Sequence, residues 1–176
     1  MRLLCLLLLL SAPLQAADFA ANPALPVPDA RAANLLDMTQ AGARLLAVGE
    51  RGLIVYSDDQ GRSWQQARVP VSETITAISF PTDDHGWAVG HGGVILHSGD
   101  AGESWQLQFD GNDANRQRLD FVTDRMMALE SQLQEAESEP DDELQFQLEE
   151  AQFAVEDAEL ALETGPADPF LDVWFA

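Results

Sequence analysis

Few residues in this sequence could do chemistry, and most of those stand where turns need them. Tyr56 is the only tyrosine. As a nucleophile it would need a glutamate to activate it and an arginine cluster to hold a carboxylated sugar. Arg31, Arg44, Arg51, Arg62 and Arg68 lie in the same half of the chain, but their spacing outlines no triad. His85 and His91 fall in loop-like stretches and His97 in a strand-like one. Zinc sites draw on three or four protein ligands, and no second cluster accompanies these histidines. Asp110-Gly111-Asn112-Asp113 offers oxygen ligands without calcium-loop spacing and reads as a helix N-cap. No phosphate-cradling glycine loop or dinucleotide fingerprint is present. The sequence therefore assigns no catalytic residue, no cofactor and no metal.

The spacing that does recur is 41 residues. The stretch 46–64, from Leu46-Ala47-Val48-Gly49 to Trp64, lies beside 87–105, from Trp87-Ala88-Val89-Gly90 to Trp105, without a gap. A period near 40 that accommodates four short strands is the mark of propeller blades. Each copy contains Ser-x-Asp-x-Gly-x-Ser-Trp: Ser57, Asp59, Gly61, Ser63, Trp64 and then Ser98, Asp100, Gly102, Ser104, Trp105. This is an Asp box, and its expected role is structural. The carboxylate accepts turn N–H groups, the glycine takes the left-handed conformation, and the tryptophan packs beneath the hairpin. Residues 74–80 suit an inner strand, followed by strands over 87–90, 94–98 and 104–109, with tight turns at His91-Gly92-Gly93 and Arg51-Gly52.

On these residues the chain resembles the photosystem II stability/assembly factor-like family of bacterial neuraminidase repeat (Asp-box) propellers, over 35–109 and again over 169–176. The resemblance implies a periplasmic or lumenal propeller that helps assemble membrane protein complexes and binds polypeptide rather than sugar. In non-photosynthetic bacteria it implies an envelope accessory role. Asp boxes also occur in sialidases, so the alternative is a carbohydrate-active propeller, either a sialidase-like hydrolase or a lectin. Tyr56 aligns with His97 across the repeat and reads as a blade position, which favours a non-enzymatic protein.

From Asn112 the period changes. Leu119, Val122, Met126, Leu129, Leu133 and Ala136 step by three and four, as do Leu144, Leu148, Ala151, Val155, Ala158 and Leu162. Two helices with a coiled-coil seam are expected. Ser138-Glu139-Pro140-Asp141 forms a capping box and Thr164-Gly165-Pro166 a stop. Arms of equal length return the chain to its point of departure. Residues 170–175 then resemble 75–80, the inner strand of a following blade. Sixteen acidic residues between 112 and 164 face only Arg116, Arg118 and Arg125. Phe146 and Phe153 lie off the seam among Glu149, Glu150 and Glu156, and these five residues are the candidate partner-docking face.

The first residues complete the reading. Arg2, the apolar run 3–10 and the small residues up to Ala17 form a secretory signal, too short to span a bilayer. Cleavage would remove Cys5, the only cysteine. Nine arginines against thirty carboxylates give a net charge of -21, which makes nucleic acid and anionic lipid surfaces poor partners, and no nucleic-acid partner is expected. The fold class is mainly β with an α-helical insertion: a partial β-propeller of two blades and the start of a third, plus an antiparallel coiled-coil hairpin. The expected division is a signal peptide over 1–16, an extended segment over 17–34, blades over 35–110, the hairpin over 111–165 and the first strand of the next blade over 166–176. Closed propellers need about four to eight blades, so the sequence reads as part of a longer chain. The expected protein is exported, periplasmic or thylakoid-lumen-like according to its source. It has no membrane span after cleavage, and its partner is a protein of a membrane or envelope complex.

Overall fold

In a computed structural model of the chain, residues 23–29, 32–135, 142–166 and 168–175 are described. The signal peptide over 1–16, Cys5, Arg31, Ala136, the capping box at 138–141, Ala176 and part of the 17–34 segment lie outside the described residues.

Alternation of side chains builds the blades. Strands β1 (Leu35–Ala41), β2 (Arg44–Gly49), β3 (Ile54–Ser57) and β4 (Gln65–Gln66) form one antiparallel meander. Strands β5 (Ile75–Ser79), β6 (Gly86–Gly90), β7 (Ile95–Ser98) and β8 (Gln106–Phe109) repeat it. Successive strand residues point to opposite faces. Leu46, Val48 and Ile54 therefore meet Ile75, Ala88, Val94, Leu96 and Trp105 of the second blade in one core. Ala47, Leu53 and Val55 turn the other way, under Val27, Ala33 and Trp64. Polar links run beside the apolar ones. The Ile78 N–H donates to Asp37 Oδ2 at 2.9 Å, and the Gly52 N–H to the Glu73 carbonyl at 2.7 Å. Residues 23–29 lie along the outer edge of the first blade, where Gln66 accepts the Val27 N–H and donates to the Leu25 carbonyl.

Helices α1 (Gly111–Glu135) and α2 (Asp142–Thr164) form the antiparallel hairpin. Asp110 and Asp113 cap α1 reciprocally, each carboxylate accepting the other's backbone N–H at 2.9 and 3.2 Å. Leu129, Ala151 and Ala158 are buried in the seam. Asn115 Nδ2 reaches the Ala161 carbonyl at 2.9 Å, and Arg118 pairs with Asp157 at 2.6 Å. A Cβ on Gly111 would meet Pro166 at 2.2 Å, so the two ends of the hairpin touch. Among the described residues no helix is long and apolar enough to cross a membrane.

Two expectations need correction. The strand expected over 170–175 forms no ladder. The segment instead lies against the second blade as β5 lies against the first, with the Phe170 N–H on the Gly90 carbonyl and Thr76 Oγ1 on the Phe170 carbonyl. An inner strand pairs with the next strand of its own blade, and no such strand follows among the described residues. The tight turns at Arg51-Gly52 and Gly92-Gly93 each take two consecutive left-handed residues, and in the first blade only the second of them is a glycine, Gly52 at φ 71°. Arg51 has φ 58°, where the second blade has Gly92 at φ 67°.

Gly61 and Gly102 allow a test of this packing. Both are left-handed, at φ 83° and 84°, so alanine at either costs about 1–2 kcal/mol. A Cβ on Gly102 would also lie 2.1 Å from Leu46 Cδ2, whereas one on Gly61 meets nothing closer than 3.7 Å. Thermal melts of the full chain are expected to fall at least twice as far for Gly102→Ala as for Gly61→Ala; equal shifts would contradict this packing.

Candidate functional site

The two Asp boxes hold the same bonds. In the first, Ser57 Oγ accepts the Gly61 N–H at 2.8 Å and donates to Asp59 Oδ1 at 2.8 Å. Asp59 Oδ1 also accepts the Ser63 N–H at 2.8 Å, and Oδ2 accepts the Ser63 hydroxyl at 2.6 Å. In the second, Ser98 Oγ accepts the Gly102 N–H at 2.9 Å, and Asp100 takes the Ser104 N–H at 2.9 Å together with its hydroxyl. Both oxygens of each carboxylate are thus committed to its own loop. The bonds require two consecutive left-handed residues, Gln60-Gly61 and Ala101-Gly102, where the sequence suggested glycine alone. The tryptophans differ. Trp105 is 4% exposed, donates Nε1–H to the Gly102 carbonyl at 3.2 Å and meets Phe80 edge-on at 5.8 Å. Trp64 is only half-buried and lines a groove of about 300 Å³ with Val27, Asp29, Arg62 and Gln66.

The residues weighed for chemistry take other partners. Arg44 grips Asp58 with two nitrogens, at 2.7 and 2.9 Å, and lies 4.3 Å from the centre of the Tyr56 ring. It also reaches the Ala101 carbonyl at 3.1 Å and Glu103 at 3.3 Å, which ties the first blade to the second. The hydrogen bond with Asp58 is the chief reason that the Arg44 pKa is raised and that of Asp58 lowered. The Tyr56 hydroxyl points to Gln65 Oε1 at 3.5 Å. His85 Nδ1 and His97 Nε2 are 3.3 Å apart, their rings 16° from parallel with centroids at 5.5 Å. That is the geometry of one N–H shared nearly end to end, and His91 takes no part in it. Among the described residues no three His, Cys, Asp or Glu side chains converge on a metal position.

The hairpin presents the remaining candidates. Phe146 and Phe153 are 56% and 69% exposed. They stand on the side of α2 away from Ala151 and Ala158, with Glu149, Glu150 and Glu156 exposed around them. No Lys or Arg lies on α2. Phe121 on α1, also 69% exposed, was not singled out from the sequence. It follows the seam residue Leu119 by two, a spacing that shows it off the seam.

The Asp-box bonds imply a pH dependence. Hydrogen bonds from Ser63, side chain and then backbone, hold the Asp59 pKa down to about 2. Burial pushes Asp100 up, but bonds from Ser104 and Ser98 outweigh it and leave its pKa lowered. Both groups are depressed in the folded state. Their contribution is complete above the unfolded value of about 3.9 and is lost as the pH falls through it towards about 2. Urea melts are expected to weaken across that window, and Asp59→Asn to flatten the slope; an unaltered slope would contradict the assignment. Trp105→Ala is expected to cost about 3–5 kcal/mol and Trp64→Ala clearly less, because Trp64 has less packing to lose.

Residues 25–114, more than half of the chain, match the family described as Photosynthesis system II assembly factor YCF48. The match ends in the first turn of α1, so the rest of the hairpin lies beyond it. Among solved structures, the chain is similar to "YCF48 bound to D1 peptide" at 26% identity, covering 43% of this chain and 26% of that one, with a TM-score of 0.39. It is also similar to YCF48 from Cyanidioschyzon merolae at 25% identity, covering 48% of this chain and 28% of that one, with a TM-score of 0.41. The chain spans little more than a quarter of those two structures' length. No curated protein matches it. By its Asp-box blades and the match over 25–114, the chain belongs to the photosynthesis system II assembly factor YCF48 family.

Proposed function

We propose that this protein is an exported, non-enzymatic accessory factor that binds another protein during assembly of a membrane or envelope complex. Membership of an assembly-factor family supports the class of function. The amino-terminal apolar run over 3–10 supports export. One observation carries the docking role: two phenylalanines, 56% and 69% exposed, stand on a helix that has carboxylates and no cation. Aromatic rings supply affinity at a docking face, while surrounding charge steers a partner of opposite sign. Phe146, Phe153, Glu149, Glu150 and Glu156 are assigned to that face.

The alternative of a sugar-binding propeller has one feature in its favour, the groove where Trp64, Arg62, Asp29 and Gln66 meet. It is the weaker reading. Trp64 is the repeat equivalent of Trp105, which is buried against the other blade, so its exposure follows from the open side of the first blade.

The docking role is tested by the double change Phe146→Ser with Phe153→Ser in the full chain. Capture of envelope proteins is expected to fall while the melting temperature moves by no more than a degree or two, since both rings are exposed. A large loss of stability would place the rings in the protein's own core and overturn the assignment.

A further inference from the structure

The outer face of α2 carries a pattern more specific than exposed aromatics. Phe146, Phe153 and Leu160 recur every seven residues and are 56%, 69% and 56% exposed. Glu149, Glu156 and Glu163 recur in the same way, three residues after each, and all are exposed. A helix advances 100° per residue, so a strict seven-residue repeat drifts only about 20° per heptad. The six side chains therefore form one stripe in which apolar groups and carboxylates alternate at steps of three and four. The stripe runs about 25 Å, roughly opposite the Ala151 and Ala158 positions that pack on α1.

We infer that this stripe is the docking seam for one basic α-helix of a partner protein. On that helix apolar residues and arginines alternate at the same three-and-four spacing. The inference rests on the docking role proposed above and specifies its partner. Residues seven apart keep to one nearly straight line along α2, the arrangement along which a second helix packs knob into hole over its whole length. The carboxylates determine the sign of the partner. Setting Glu149, Glu156 and Glu163 against a second copy of the same stripe would bring like charges together, so self-association is disfavoured. Arginine suits the site better than lysine, because its guanidinium grips a carboxylate with two N–H groups and lies flat on a phenyl ring. Phe146 and Phe153 stand one turn from Glu149 and Glu156, which lets one arginine do both.

The test uses the full chain and three synthetic 21-residue peptides. The first is a helix former with leucine and arginine alternating at three-and-four spacing, the second has glutamate for arginine, and the third is the arginine peptide with two internal prolines. Fluorescence anisotropy is expected to register binding of the first peptide alone, weakening as salt rises, with a gain of helical circular dichroism on mixing. Leu160→Ser and Phe153→Ser should each weaken that binding tenfold or more without moving the melting temperature. Equal binding of the proline-broken peptide would overturn the inference, and so would indifference to Leu160→Ser. If Leu160→Ser has no effect while the double phenylalanine change still abolishes envelope-protein capture, the helical partner is wrong and the docking role stands. If neither change has an effect, both fall.

Discussion

The contact between Leu46 and the second Asp-box turn sets the geometry from which the rest of the chain follows. Leu46 is fully buried, and its Cδ2 lies 2.1 Å from where a Cβ on Gly102 would be. Only glycine in the left-handed conformation lets the turn come that close. The same turn positions Trp105 under Phe80 and starts β8, which ends at Phe109. Asp110 then caps α1, and Pro166 closes against Gly111 when the chain returns. The direction in which the hairpin leaves the blades is therefore determined by packing between two blades, several residues upstream of its first helical turn.

A net charge of -21 would suggest one uniformly acidic surface, but the carboxylates divide by role. Asp37, Asp59, Asp100 and Asp110 accept backbone N–H groups, and Asp58 binds Arg44 with both oxygens. These groups hold turns and blades in place. On α2, Asp157 pairs with Arg118, whereas Glu149, Glu156 and Glu163 line an outer face where no cation lies on the same helix. Within one chain, the same side chain is a structural acceptor in the sheets and a source of long-range field on the hairpin. That division suits a scaffold which presents a recognition arm.

Much of this was legible in the sequence, wherever the determinant was local. The 41-residue offset and the Ser-x-Asp-x-Gly-x-Ser-Trp spacing outlined two meanders, because the Asp-box bonds join residues at most four apart. The three-and-four steps outlined both helices for the same reason. What escaped depended on neighbours distant in sequence. Trp64 and Trp105 occupy the same motif position, yet only Trp105 has another blade against it. His85 and His97 come together only because β6 pairs with β7. Leu160 is two residues from the seam residue Leu162 and one from Ala161, so in sequence it merged with that apolar cluster, although its exposure places it on the outer stripe. Arg51 adopts a glycine-like conformation because the repeat's turn geometry prevails over the preference of a single residue.

The central claim is that the two blades pack on one another without help from the hairpin, which serves as a separate recognition arm. It is tested most directly by replacing residues 112–164 with a short glycine-serine linker, which the contact between Gly111 and Pro166 makes possible without strain. One thermal melt, read alongside capture of envelope proteins, decides the matter. The account predicts a cooperative melt within a few degrees of that of the intact chain, with capture abolished. Collapse of the melt, or capture that survives the excision, would contradict it.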